Sequence, residues 1–220
     1  MSDHPVLTID GPGGAGKGTV SRLVASKLGW HYLESGAMYR ALAVAASKHG
    51  INLDDTARLA EMAVSMNLRF ECPRGEHQVL LDDIDITDEM GQETCGNVAS
   101  IIASNPVIRE ALVEKQRRFK QPPGLVAEGR DMGTVIFPDA KYKIFLTASV
   151  EERARRRYLQ LKQLDNNVSL DKIRSEIEER DRRDMNRSVA PLVQAGDALL
   201  IDSTDISIES VVDKCIRIIN

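Results

Sequence analysis

The chain has 220 residues, a length that suits one α/β unit with a modest insertion, and its hydrophobic share of 42% is enough for a substantial core. Aromatic residues supply only 4%, which leaves few platforms for stacking bases and argues against a protein that coats nucleic acid. The net charge of −4 gives no general attraction to polyphosphates or anionic lipid, so a phosphate site must be local; residues 151–187, with eleven Lys and Arg against nine Asp and Glu, form a basic stretch in an acidic chain.

Along the chain, short apolar runs alternate with longer helical patterns. Residues 6–9 read as a buried strand and 16–28 as a helix; 31–33 read as a second buried strand, followed by helices over 38–49 and 56–65. Residues 67–86 differ. Short runs at 68–70, 79–81 and 84–86, separated by Pro73, Gly75 and the acidic pair Asp82-Asp83, predict a small antiparallel sheet inserted into the core. Helices over 92–103 and 107–120 come next, then buried strands at 125–127 and 143–146, helices over 150–163 and 169–185, a buried strand at 199–201 and a closing helix over 208–219. The alternation predicts an α/β fold, a parallel sheet with helices on both faces. Ser149 and Glu152 have the spacing of a capping box, read here as an ordinary helix start.

Cys72, Cys95 and Cys215 are far apart and lack the paired spacing of a zinc or redox site, so they are read as buried, reduced thiols. The opening ten residues lack a basic segment followed by a long apolar run, and no later stretch has the length of a membrane span; the cytoplasm is the expected location.

The first strand runs straight into Gly11-Pro12-Gly13-Gly14-Ala15-Gly16-Lys17-Gly18-Thr19, and the helix behind it carries Val20, Leu23, Val24 and Leu28. Strand, glycine loop, lysine and helix in this order spell a phosphate cradle. Glycine permits backbone angles and a close approach that a Cβ obstructs, so successive N–H groups turn toward phosphate oxygens. Lys17 adds a point charge for β- and γ-phosphates, and the helix brings the positive end of its dipole. In GTPases a hydroxyl directly after the lysine holds the metal; here Gly18 takes that position and Thr19 follows one later, a spelling that resembles nucleoside monophosphate kinases. The guanine-reading N-K-x-D pattern is absent, and Asp88-Glu89-Met90-Gly91, a loose D-x-x-G match, is discounted because it follows the inserted sheet.

Two further strand ends carry polar chemistry. One reads Glu34-Ser35-Gly36-Ala37-Met38-Tyr39-Arg40 and the other Glu128-Gly129-Arg130-Asp131-Met132-Gly133-Thr134. Ligands of open α/β sheets bind at that carboxyl edge. Glu128, with Thr19, is a candidate for reaching magnesium through water; a buried structural acid is the other reading of Glu128.

In the basic stretch, Arg153 and Arg157 lie four apart, and Arg180, Asp184 and Arg187 follow an i, i+4, i+7 spacing, so each set shares a helix face. Arg155, Arg156, Arg182 and Arg183 add charge, and Asp165-Asn166-Asn167 joins the two helices. One reading is a hairpin that folds over phosphates; the other is a solvated helix pair whose arginines meet Glu151, Glu176, Glu178 and Glu179. Arg153, Arg157, Arg180 and Arg187 are the arginines chosen for phosphate contact.

Taken with the GKGT loop and in this order, Ser35-Gly36-x-x-Tyr39-Arg40, Gly129-Arg130-Asp131-Met132-Gly133-Thr134 and Arg180-Asp181-x-x-Asp184-x-x-Arg187 resemble bacterial cytidylate kinases, over nearly the whole chain. The resemblance implies a P-loop kinase fold: a core in residues 1–34, 121–150 and 188–220, a monophosphate-binding region at 35–120 with the small β insert near 67–86, and a helical lid at 151–187. It implies ATP as phosphoryl donor with magnesium, and CMP or dCMP as acceptor. It assigns the cytosine edge to Ser100, Arg109 and Asp131, the acceptor phosphate to Ser35, Arg40, Arg130 and Arg187, and the sugar to Arg180 and Asp184, with Tyr39 beside them. A hydroxyl, a guanidinium and a carboxylate can match the cytosine acceptors and amino donors. Taken alone, Ser100 would be a helix-surface hydroxyl.

The expected reaction needs no general base, since an acceptor phosphate with a second pKa near ~6 is already nucleophilic at neutral pH. Accordingly, of His4, His31, His49 and His77 only His31 lies near a motif, and it falls within a strand. Lys17, Arg130, Arg153, Arg157 and Arg187 are expected to neutralise the two anions as they approach. The expected partners are small nucleotides, with no nucleic acid and no membrane, acting on a monomer. Rival expectations are a P-loop kinase for UMP, AMP or shikimate, and a switch or partner-binding module driven by ATP hydrolysis.

Overall fold

The computed structural model describes residues 4–71, 78–162 and 169–219. Cys72, Pro73, Gly75, His77 and the Asp165-Asn166-Asn167 joint therefore lie outside the described residues. The chain divides into two compact units, Met1–His31 with Lys120–Asn220, and Tyr32–Phe119.

The first unit is built on a parallel sheet. Strand β1 (Val6–Asp10) runs parallel to β6 (Leu125–Gly129) on one side and β7 (Tyr142–Thr147) on the other, with Asp10 level with Gly129 and Phe145. Strand β8 (Leu199–Asp202) pairs with β7, and β2 (His31–Glu34), whose first residue closes this unit, completes the five-stranded order β2-β6-β1-β7-β8. Inner strands of a parallel sheet have no solvent face, so β1 and β6 are buried along their whole length instead of alternating.

The edge strands correct two expectations. Residues 31–33 and 199–201 were expected to be buried, yet β2 and β8 each bury a single side chain, Leu33 and Ile201, while Leu199 and Leu200 are 44% and 54% exposed. An edge strand has a neighbour on one side only, and apolar composition does not reveal that.

Helix α1 (Lys17–Leu28) packs on β6 and on α9 (Ile208–Arg217), which buries Val211, Val212 and Cys215. Between β7 and β8, α7 (Val150–Lys162) and α8 (Leu170–Asn186) pack on one another. The start of α7 is half a capping box. Ser149 Oγ accepts the Glu152 N–H at 3.2 Å, but the Ser149 N–H goes to Thr204 Oγ1 at 2.9 Å and the Glu152 carboxylate goes to Arg155 and Arg156. Between β6 and β7 the chain makes a π-helical turn, Met132–Ile136, which no periodicity announced.

In the second unit, α2 (Ser35–Lys48) buries ten of its fourteen residues, because α3 (Thr56–Ser65), α4 (Thr87–Gly91), α5 (Glu93–Ile102) and strand β4 (Gln78–Leu81) all pack on it. Helix α6 (Pro106–Arg117) packs on α3, starting from an Asn105 side chain that accepts the Val107 N–H at 3.0 Å. The small antiparallel sheet forms as expected, in the order β3 (Leu68–Glu71), β4, β5 (Ile84–Asp85). Its β4–β5 turn puts Asp82 and Asp83 at φ 48° and 68°, the left-handed pair of a two-residue hairpin. Their side chains offset that conformation: Asp82 Oδ1 accepts the Asn67 N–H at 2.9 Å, and Asp83 Oδ1 accepts from Arg69 at 2.6 Å.

Three local expectations change here. Helix α2 begins at Ser35 rather than 38, held by a buried bond from its hydroxyl to Gln116. The helix expected over 92–103 is preceded by α4, and the two separate where Gln92 turns extended (φ −66°, ψ 142°); the discounted D-x-x-G residues sit in α4. Cys215 is buried as expected, whereas Cys95 is half-buried. Among the described residues no helix is long and apolar enough to cross a membrane.

Candidate active site

The loop after β1 has the geometry its glycines imply. Gly11 has φ +148°, and a Cβ there would stand 1.9 Å from the Leu146 carbonyl oxygen, so only glycine can pass beneath β7. Gly16, at φ 91°, is the cap of α1 and has no side chain to compete for the first N–H groups of that helix. Lys17 follows, 7% exposed, with its ammonium donating to the Pro12 carbonyl at 2.8 Å. Burial, then the nearby Arg130 and Arg180 charges, outweigh Glu128 and Asp10 and lower the Lys17 pKa to about 7. Thr19 is exposed, and Pro12 and Ala15 are buried.

Position 18 is closely flanked by two charged side chains. A Cβ at Gly18 would lie 3.2 Å from Glu128 Oε1 and 3.1 Å from the Arg22 guanidinium. Glu128, on β6 and 6% exposed, therefore faces the first turn of α1. Among the described residues no cluster of three or more His, Cys, Asp or Glu side chains could ligate a metal directly.

Beside Gly13 and Gly14 stand the arginines of the same unit. A Cβ on Gly13 would come 3.4 Å from the Arg130 guanidinium and 4.0 Å from that of Arg180, so both side chains border the loop. Arg130 Nε donates to Asp184 Oδ2 at 2.8 Å, and Arg187 reaches Asp131 Oδ1 at 3.4 Å while its Nε donates to the Ala190 carbonyl. Burial works to raise the Asp184 pKa, but Arg130, Arg180 and Arg187 together hold it below the usual carboxylate value. Arg130, Asp131, Arg180, Asp184 and Arg187 thus form one charged cluster bordering the loop.

Arg153 is committed to the protein. Only 4% exposed, it donates to the Ala148 carbonyl at 3.0 Å and the Gly13 carbonyl at 3.1 Å, and pairs with Asp181 of α8 at 2.7 Å. Arg157, one turn later, is partly exposed. Arg155, Arg156 and Arg174 follow the salt-bridge reading: Arg155 and Arg156 meet Glu152, and Arg174 meets Glu151 and Glu178.

In the second unit, Ser35 is 4% exposed and its hydroxyl donates to Gln116 Oε1 at 2.7 Å. Arg40 donates to the Met90 carbonyl, with Gly96 close beneath its guanidinium. Arg109, 5% exposed, donates to the Ala103 carbonyl at 3.1 Å and lies 5.8 Å from the centre of the Tyr39 ring. Ser100 is half-buried on α5.

Two residues of this architecture escaped the sequence reading. Gln116 looked like an ordinary position in a helix, and nothing in its neighbourhood distinguishes it. Asp10 lies inside the first strand directly before the loop, and an acid at the end of an apolar strand is the signal that was available. Its two oxygens accept the Met132 and Gly133 N–H groups, each at 2.8 Å.

A family model described as cytidylate kinase matches residues 7–220. The chain is 56% identical over 215 residues to the cytidylate kinase of Methylococcus capsulatus (strain Bath), covering 98% of this chain and 96% of that one. It is 53% identical over 217 residues to the cytidylate kinase of Colwellia psychrerythraea, with the same two coverages, 98% and 96%. Among solved structures, an uncharacterized protein from Eubacterium ventriosum shares the fold at a TM-score of 0.51 and 15% identity, over 98% of this chain and 97% of that one.

Proposed function

This chain belongs to the cytidylate kinase family, and from that membership and the loop after β1 we propose that it transfers the γ-phosphoryl group of ATP to CMP or dCMP, yielding ADP with CDP or dCDP. The observation that carries the proposal is the buried Lys17 behind the glycine loop, with Arg130 and Arg180 beside Gly13. Those three cations suit a site that takes the tail of a triphosphate and the phosphate of a second anion.

The chemistry asks little of the protein in the way of proton transfer. An acceptor phosphate dianion is its own nucleophile, so the work is alignment and charge neutralisation. Lys17 follows the moving γ-phosphoryl group, and the N–H groups of residues 11–19 hold the donor phosphates. Arg130 and Arg187 take the acceptor phosphate with Ser35 and Arg40, and Arg180 and Asp184 face its sugar. Ser100, Arg109 and Asp131 read the cytosine edge, with Tyr39 supporting Arg109. Arg157 adds charge toward the phosphates, and Arg153 acts through the loop carbonyl it holds.

Magnesium fits this residue set. Buried Glu128 faces the first turn of α1, where Thr19 is exposed, so these two oxygen-bearing side chains would hold the ion through water, and when bound it would offset phosphate charge. Residues 151–187 serve as a lid that excludes water once both nucleotides are in place, residues 35–120 serve as the monophosphate-binding region, and the rest of the chain is the core. The full residue set lies on one chain, so a monomer suffices, and the cytoplasm is the proposed location.

The test is an initial-rate survey of acceptors at fixed ATP, following ADP release. CMP and dCMP are expected to give the highest kcat/KM; a preference for UMP, AMP or shikimate would refute the acceptor assignment.

A further inference from the structure

We infer that Asp10 is a positioning residue for the acceptor: from the end of β1 it holds the turn that presents Arg130 and Asp131, so one carboxylate sets the donor loop and the acceptor-reading segment relative to each other. The inference rests on the CMP-kinase reading above and adds a residue to it.

Asp10 ends the central strand immediately before Gly11 and is 4% exposed. Its Oδ1 accepts the Met132 N–H and its Oδ2 accepts the Gly133 N–H, each at 2.8 Å, so both oxygens are committed to the backbone that directly follows Arg130 and Asp131. That backbone needs an anchor. Asp131 has φ −146° and ψ 23°, outside the ordinary strand and helix wells, and the chain then winds through a π-helical turn. In the turn the Ile136 N–H reaches the Asp131 carbonyl at 3.2 Å and the Phe137 N–H reaches that of Met132 at 2.7 Å. Such wide spacing leaves the earliest N–H groups without an acceptor inside the turn, and Asp10 supplies one for each.

The fit is close. A Cβ on Gly133 would stand 2.8 Å from Thr8 Oγ1 and 3.4 Å from Asp10 Oδ2, so the turn sits directly on β1. Keeping a carboxylate here is costly: burial and the Asp131 charge raise its pKa to about 6, against the two N–H bonds and Lys17. An asparagine would suit the burial better, but its amide offers one acceptor for two donors.

The test is Asp10→Asn in the full chain, with KM measured separately for CMP and for ATP. The expected result is a rise in KM for CMP of about tenfold with KM for ATP changed by no more than about twofold. A ratio of the two KM values that does not rise overturns the inference, because a merely structural acid would not discriminate between the substrates. Backbone amide exchange in the unaltered chain tests the anchor without relying on the variant to fold. Met132 and Gly133 are expected to exchange as slowly as the N–H groups of β1, and exchange at the rate of an exposed loop overturns the inference. If the unaltered chain leaves CMP unphosphorylated, the kinase reading fails on its own, while amide exchange still reports on the anchor.

Discussion

Arg153 of α7 and Asp181 of α8 form a buried ion pair at 2.7 Å, and the same guanidinium donates to the carbonyl of Gly13 in the phosphate loop at 3.1 Å. One side chain thus ties the helix pair to the loop beside which it folds. Breaking it leaves a carboxylate buried without its partner.

Arg153→Met is therefore expected to cost about 3 kcal/mol or more of folding stability, because Asp181 loses its cation in a desolvated site. Arg157→Met, at a partly exposed position, is expected to cost well under about 1 kcal/mol. Urea denaturation of both variants checks the difference, and equal losses would show that the Arg153 pair is not structural.

Lys17→Met is expected to lower kcat by on the order of 100-fold or more, since the cation at the γ-phosphate is gone. Folding should not suffer. The pKa of Lys17 is lowered from 10.5 to about 7 in the folded chain by burial and by Arg130, so below about pH 7 the folded state carries a charged lysine it disfavours, and that penalty fades as pH rises toward 10.5. The variant should exceed the unaltered chain in melting temperature most clearly near about pH 6, and the gap should narrow near about pH 9, as measured by calorimetry.

The phosphate loop was legible because its constraints are local: glycines that cap a helix or slip beneath a neighbouring carbonyl need only the order of residues around them. The central strands were legible from their continuous apolar runs. Other features depend on who sits opposite. Leu199 and Leu200 look like core residues until β8 turns out to be an edge, and two N–H groups of the π-helical turn at Met132–Ile136 are met by Asp10, a residue far away in the sequence. The arginines of α7 show the same limit. Their spacing grouped Arg153 with Arg157, but only the tertiary partners reveal that Arg153 is buried against Asp181 and Gly13.

Glu152 offers a test of surface electrostatics. Hydrogen bonding from Arg155 is the largest effect and, with the hydrogen bond and charge of Arg156, it outweighs burial and lowers the Glu152 pKa from 4.5 to about 2. A depressed acid stabilises the fold above its unfolded pKa, and the contribution is lost as pH falls through the folded value. Glu152→Gln is expected to melt lower than the unaltered chain near about pH 6, with the gap closing progressively below 4.5. A gap that is independent of pH would assign the loss to packing instead.

Arg130→Met removes a cation that borders Gly13 and pairs with Asp184 at 2.8 Å. Both the acceptor phosphate and the charge developing in transfer lose a partner, so kcat should fall on the order of 100-fold and KM for CMP should rise. KM for ATP should change less. Steady-state kinetics with each substrate varied in turn separates these effects.

The central claim is transfer of the donor phosphoryl group to a pyrimidine monophosphate rather than to water. With γ-labelled ATP, magnesium and CMP, separation of the products should place the label in CDP, with little in inorganic phosphate, and omission of CMP should leave the ATP intact. Label appearing in inorganic phosphate at the same rate with or without CMP would contradict the account.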